Sequence, residues 1–180
     1  MKTFPLAFCL VLIWGCSDLR PEMNISTYFD VDSLVNRQVK TFDRIQPTLE
    51  KSAKIDDRSE RQTLRYDSSG WARELTFFRQ LNINEPSLVG GYTIDSTDNV
   101  VTYTPDEDLS TRVRTLSIHY SDHRLEKITG LIFEENEIYA TEKDIEVNFE
   151  DGLISKYRLR GFQKIILKDT ARFEIEGIIK

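Results

Sequence analysis

The chain has 180 residues, with 24 Lys+Arg against 30 Asp+Glu and a formal net charge of -6. That acidic balance excludes a nucleic-acid binder, whose phosphates demand a basic surface. A hydrophobic share of 39% beside 30% charged residues excludes a disordered chain or a polytopic membrane protein. Eight Gly and five Pro exclude a collagen-like or low-complexity chain.

Met1 and Lys2 form a positive start, and Phe4 to Trp14 (FPLAFCLVLIW) is an unbroken apolar run of eleven residues. A membrane-spanning helix needs about 20 residues, whereas the apolar region of a secretory leader runs roughly 7–15. The run ends in Ile13-Trp14-Gly15-Cys16: an aliphatic residue, a residue before a small one, then cysteine. This stretch resembles the lipobox of bacterial lipoproteins, although Trp14 stands where that family usually has a small residue. The resemblance implies that residues 1–15 are a signal peptide and that Cys16 is the lipid attachment site. Membrane lipid is then a partner through the acylated thiol. A plain signal peptide or a short buried strand is the alternative. Cys9 lies in the expected leader, so Cys16 would be the only cysteine left, and one cysteine cannot form an internal disulfide. Cys16-Ser17-Asp18 resembles the export signal of Bacteroidota-type lipoproteins, which implies the outer membrane, on its periplasmic or surface face. Residues 16–30 read as a polar tether and residues 31–180 as a single domain.

Asp32 is the expected N-cap of an amphipathic helix with Leu34, Val35, Val39, Phe42 and Ile45 on one stripe, stopped by Pro47. Leu49 to Ile55, a turn at Asp56-Asp57 and Arg58 to Tyr66 predict a hairpin. Asp67-Ser68-Ser69-Gly70 predicts a second helix start, with Trp71, Leu75, Phe78 and Leu81 on its apolar face. Asn82 is the expected left-handed cap, and Pro86 bars continuation.

From Tyr92 onward the pattern predicts extended runs: Tyr92–Asp95, Val100–Thr104, Val113–Tyr120, Leu125–Phe133, Ile138–Thr141, Ile145–Phe149, Leu153–Leu159, Gln163–Leu167 and Phe173–Ile179. Turn-forming pairs such as Ser121-Asp122 and Asp151-Gly152 separate them. Short connections require antiparallel pairing. The expected fold is therefore α+β: a curved antiparallel meander of about nine or ten strands with two amphipathic helices packed on one face. That outline is similar to the half-barrel of the outer-membrane lipoprotein-carrier proteins. The likeness implies room for an apolar ligand between sheet and helices.

Chemistry is sparse. His119 and His123 lie four apart, but in a strand–turn–strand context, with Tyr120 where a zinc protease would place Glu; with Asp122 they make at most a surface metal site. No G-x-S-x-G, G-x-G-x-x-G or phosphate loop occurs. The carboxylates Asp106-Glu107-Asp108, Glu134-Glu135 and Glu150-Asp151 sit at predicted turns, where solvation accounts for them. The expectation is a membrane-anchored envelope lipoprotein acting as a non-catalytic binding or assembly module, with no metal and no cofactor. Its partner would be an envelope protein or an apolar ligand. The alternatives are a carrier of an apolar ligand in a groove, and a hydrolase built from scattered carboxylates with Tyr120, Tyr139 or Tyr157.

Overall fold

The computed structural model describes residues 27–180, so the expected leader, Cys16 and the tether as far as Ser26 lie outside the described residues. The first helix, α1 (Val31–Ile45), is capped by Asp30, whose carboxylate accepts from the Ser33 N–H at 2.8 Å. That hydrogen bond holds the Asp30 carboxyl below its usual range. Asp32, the expected cap, sits within the first turn and serves another purpose: it accepts from Arg79 at 3.1 Å and Asn82 at 2.7 Å. At the other end Gln46 takes the left-handed conformation (φ 52°) and its N–H closes on Phe42 at 2.8 Å. Val31, Leu34, Val35, Val39 and Phe42 are buried, whereas Ile45 is 48% exposed. It is the last helical residue, and the stripe there outruns the core.

The hairpin of β1 (Leu49–Ile55) and β2 (Arg58–Leu64) forms as the alternation predicts, around Asp56-Asp57. The second helix is broken into α2 (Ser68–Glu74) and α3 (Thr76–Arg79). The N–H of Leu75 still reaches back four residues to Trp71, but that of Phe78 reaches only three, to Leu75. From there the coil is tightened, and the Asn82 N–H also bonds three residues back, to Arg79. Asn82 does not adopt the left-handed cap; its side chain bonds Asp32 and the Asn84 N–H instead. Pro86 opens a short 3-10 turn, Pro86–Leu88, that periodicity does not reveal.

The remaining strands are β3 (Tyr92–Ser96), β4 (Val100–Pro105), β5 (Val113–Ser121), β6 (Arg124–Glu135), β7 (Tyr139–Glu150), β8 (Leu153–Ile165) and β9 (Ala171–Ile179). With β1 and β2 they make one open sheet of nine strands, antiparallel throughout. Two pairs of expected short strands are single long ones. Ile138–Thr141, apart from Ile138 itself, and Ile145–Phe149 belong to β7, because Glu142 and Asp144 between them stay extended and point to the solvated side. Leu153–Leu159 and Gln163–Leu167 fall on β8 and the turn after it. The apparent break at Gly161 is a close approach, where a Cβ would lie 1.9 Å from the Glu142 carbonyl oxygen.

The strand order is β2-β1-β9-β8-β7-β6-β5-β4-β3. The meander expectation holds from β3 to β9, but β1 and β2 are added beside β9. The chain must therefore pass from one sheet edge, β2, to the other, β3, over residues 65–91. On the way Glu74 meets β1 and β8, Gln80 meets β7 and Leu81 meets β6. The register puts Leu49, Tyr157, Val147, Ile145, Ile128, Leu116 and Tyr103 on one face of the sheet, and all are buried. Trp71, Leu75, Phe78 and Leu81 are fully buried and share this core. The opposite face carries cross-strand charge rows: Asp144, Arg160, Glu174 and Lys54 lie opposite one another in succession, and Arg158 pairs with Glu146 and Glu176. Tyr28, within the residues expected to be tether, is 6% exposed and stacks edge-on with Tyr92 and Tyr103.

Candidate functional site

Two constellations of polar side chains stand out, one closed and one open. The closed one centres on Glu74, whose side chain is only 7% exposed. Lys51 donates to both its oxygens, at 2.8 and 3.0 Å, Tyr66 donates at 3.2 Å, and Tyr157 donates as well. A buried carboxylate is costly unless paired and hydrogen-bonded, and here every donor is supplied by a different element. Burial and the neighbouring carboxylate push the Tyr157 hydroxyl far above the ordinary tyrosine range, and Tyr66 upward for the same reasons. Gly177 makes room for the Tyr157 ring, which a Cβ there would meet at 2.2 Å. With Glu74 saturated by its own chain, this network pins α2 to the sheet. Sequence reasoning passed over Glu74, although one signal was visible: it is the lone acid on the apolar stripe of Trp71, Leu75 and Phe78.

The open constellation is a cleft of about 540 Å³ between the Pro86–Leu88 turn, the start of β5 and the β6–β7 end. Its centre is Arg112, between Glu85 at 4.0 Å and Glu134 at 3.8 Å. Tyr139 donates to Glu134 at 3.3 Å, and Arg114 lies 5.7 Å over the Phe133 ring. A register shift between Val113 and Thr115 makes Arg114 the extra residue of a β-bulge. Bulges re-aim side chains at strand ends; this one sets Arg114 at the cleft, beside Arg112 just before the strand, while Val113 stays buried. Val113 is also held from behind, its carbonyl accepting from the Tyr92 hydroxyl at 3.0 Å. The contacts of Arg112 are longer than hydrogen bonds. Its guanidinium, 44% exposed, can therefore exchange these partners for a carboxylate or carbonyl brought by another molecule.

Of the residues singled out from sequence, Glu134 and Tyr139 meet in this cleft, with Glu135 at its rim. The others are dispersed. Tyr157 belongs to the closed network, and Asp106 accepts from Thr93 at 2.8 Å. Tyr120 is half-buried on β5, with its hydroxyl pushed upward by burial. Asp122 and His123 have φ of 49° and 61°. They are the two central residues of a tight hairpin turn, which demands that conformation of both. His119 points to Thr129 at 3.4 Å, its ring pushed down by burial and by the Lys127 charge. Among the described residues, no three His, Cys, Asp or Glu side chains come together so as to hold a metal ion. No described helix is long and apolar enough to cross a membrane. Arg114 was missed because a bulge leaves no trace in hydrophobic alternation, and Arg112 because it lies in the loop before β5. No family model, curated protein or solved structure matches the chain.

Proposed function

We propose that the protein is a membrane-anchored envelope lipoprotein, held by acylated Cys16, that acts as a non-catalytic binding or assembly module. The observation that carries the binding half is the Arg112–Arg114 cleft. It pairs an exchangeable guanidinium with the aromatic side chains Phe133 and Tyr139. Arg and Tyr anchors with a polar rim are the composition of protein-recognition surfaces, so an envelope protein is the partner it suits. The anchoring half rests on the run before Cys16 and on that cysteine itself.

In the same reading, the amphipathic helices lie together on the apolar face of the sheet, which curls around them. Lys51, Lys143 and Tyr157 share that face by register, and each bonds the α2–α3 segment or the residue after it. An apolar-ligand carrier would use this same face, but Trp71, Phe78 and Leu81 already fill it, which favours the module.

Expressed in a Gram-negative host, the full chain should incorporate labelled palmitate and fractionate with membranes. Equal labelling of Cys16→Ser would refute the anchor. Stoichiometric fatty acid or phospholipid released from the folded domain on denaturation would favour the carrier over the module.

A further inference from the structure

Eight large apolar side chains stay exposed among the described residues, and five of them gather at one end of the sheet. Ile55 closes β1, Val89 lies in the loop entering β3, Ile138 precedes β7, and Ile166 and Leu167 form the β8–β9 turn. Successive antiparallel pairings place these at the same end: Tyr92 opposes Pro105, Tyr139 opposes Ile165, and Ile55 opposes Phe173. The Ile166 N–H also bonds the Ile138 carbonyl at 2.8 Å, which joins two of the turns directly. The turns at the opposite end read Thr97-Asp98-Asn99, Asp122-His123 and Asp151-Gly152, with no large apolar side chain.

Leu167 is the extreme case, 99% exposed and held at φ 62°. A leucine gains nothing from either condition, since Gly or Asn suits that backbone and a polar side chain suits water. Exposed Lys164 and Lys168 flank the Ile165-Ile166-Leu167 run. Lysine stems can lie along apolar surface while their heads reach phosphates. Glu135, Glu137 and Asp169 stand at the same end, so net charge is not the attraction; the apolar tips are.

Tyr28, near the start of the described residues, lies at this end as well. The Tyr28 hydroxyl donates to the Leu88 carbonyl at 3.1 Å and accepts from the Gly90 N–H at 2.8 Å. Cys16 lies eleven positions before Thr27, a span of at most about 36–40 Å. From β3 to β1, where Ile55 ends the row, is seven strand spacings, roughly 34 Å. An anchor at Cys16 can therefore bring the whole row to the bilayer.

We propose that this apolar rim is a membrane-docking edge, with Leu167 at its tip entering the headgroup–acyl boundary, so that the lipid-tethered domain stands on its β8–β9 end. The proposal rests on the lipoprotein reading. The test uses the full acylated chain in vesicles of phosphatidylethanolamine with a minor phosphatidylglycerol fraction, carrying brominated acyl chains as quenchers. Leu167→Trp and Ile55→Trp report on the rim, and Asp98→Trp reports on the opposite end, with buried Trp71 as a constant background. The expected result is severalfold stronger quenching at positions 167 and 55 than at 98. Equal quenching at all three, in protein that floats with the vesicles and carries the palmitate label, overturns the docking edge and leaves the anchor standing; a protein partner for the rim would then be the better reading. Protein that neither floats nor takes label overturns the anchor, and this proposal falls with it.

Discussion

At the scale of single residues, the most consequential side chain of the interior is Tyr157. Its hydroxyl is bound to buried Glu74 and its proton is held far above the ordinary tyrosine value. The unfolded chain releases that proton near pH 10 and the folded chain does not. Stability from this group is thus full below pH 10 and falls above it, by about 1.4 kcal/mol per pH unit. Denaturant titrations at rising alkaline pH should show this decline, and Tyr157→Phe should make it shallower, leaving the share of the other raised tyrosines such as Tyr66 and Tyr120. At neutral pH the same variant should lose about 1.5–3 kcal/mol, since a donor to a buried carboxylate is gone. The opposite sign is expected at Leu167. Changing it to Asn keeps the left-handed turn and relieves the side-chain clash, so Leu167→Asn should raise stability by about 1 kcal/mol, read as a higher urea midpoint. A natural residue that costs stability on open solvent points to a use for its apolar surface.

At the scale of elements, α1 is tied to the sheet by one amide as well as by its apolar stripe. Gln38, 3% exposed, donates to the Gly152 carbonyl at 2.9 Å and accepts from the Ile154 N–H at 3.0 Å. It thereby satisfies a carbonyl of the β7–β8 turn and an N–H at the start of β8. Gln38→Leu fits the stripe but strands the Ile154 N–H, and should cost about 1–3 kcal/mol with faster amide exchange at that turn. The helices were legible in sequence because amphipathic periodicity is a long-range signal, repeated over Val31, Val35, Val39 and Phe42. Their ends were less so. Asp30 and Asp32 are equally good caps on paper, and the contacts of Asp32 with Arg79 and Asn82, nearly fifty positions away, decide between them. Strand existence was legible for the same reason as the helices. The division of β7 and β8 was not, because a polar triplet and a glycine look like turns unless the neighbouring strand is known. The cleft was the least visible feature, since Arg114 sits on a bulge and Arg112 lies in the loop before the strand.

At the scale of the whole molecule, the antiparallel α+β class follows from turn spacing, but the order of strands does not. Nothing local distinguishes a plain nine-strand meander from the observed sheet, in which β1 lies against β9. That pairing joins Leu49 to Ile179 and Ile55 to Phe173, separations of more than a hundred residues. Contacts so distant in sequence slow folding, because loop closure must precede their reward. Refolding from urea is expected on the millisecond-to-second scale, with the β1–β9 amides protected last in pulsed hydrogen exchange. Deleting residues 171–180 should separate the β1–β2 hairpin from the sheet and abolish cooperative unfolding. The same arrangement bears on how the chain is made. The first strand synthesised waits for the ninth, so the β1–β2 hairpin cannot join the sheet until β9 has been made, whereas β3 to β8 can pair with their neighbours in turn. Until β9 arrives, β1 presents an unpaired edge, and its pairing with residues 173–179 is the step that completes the sheet.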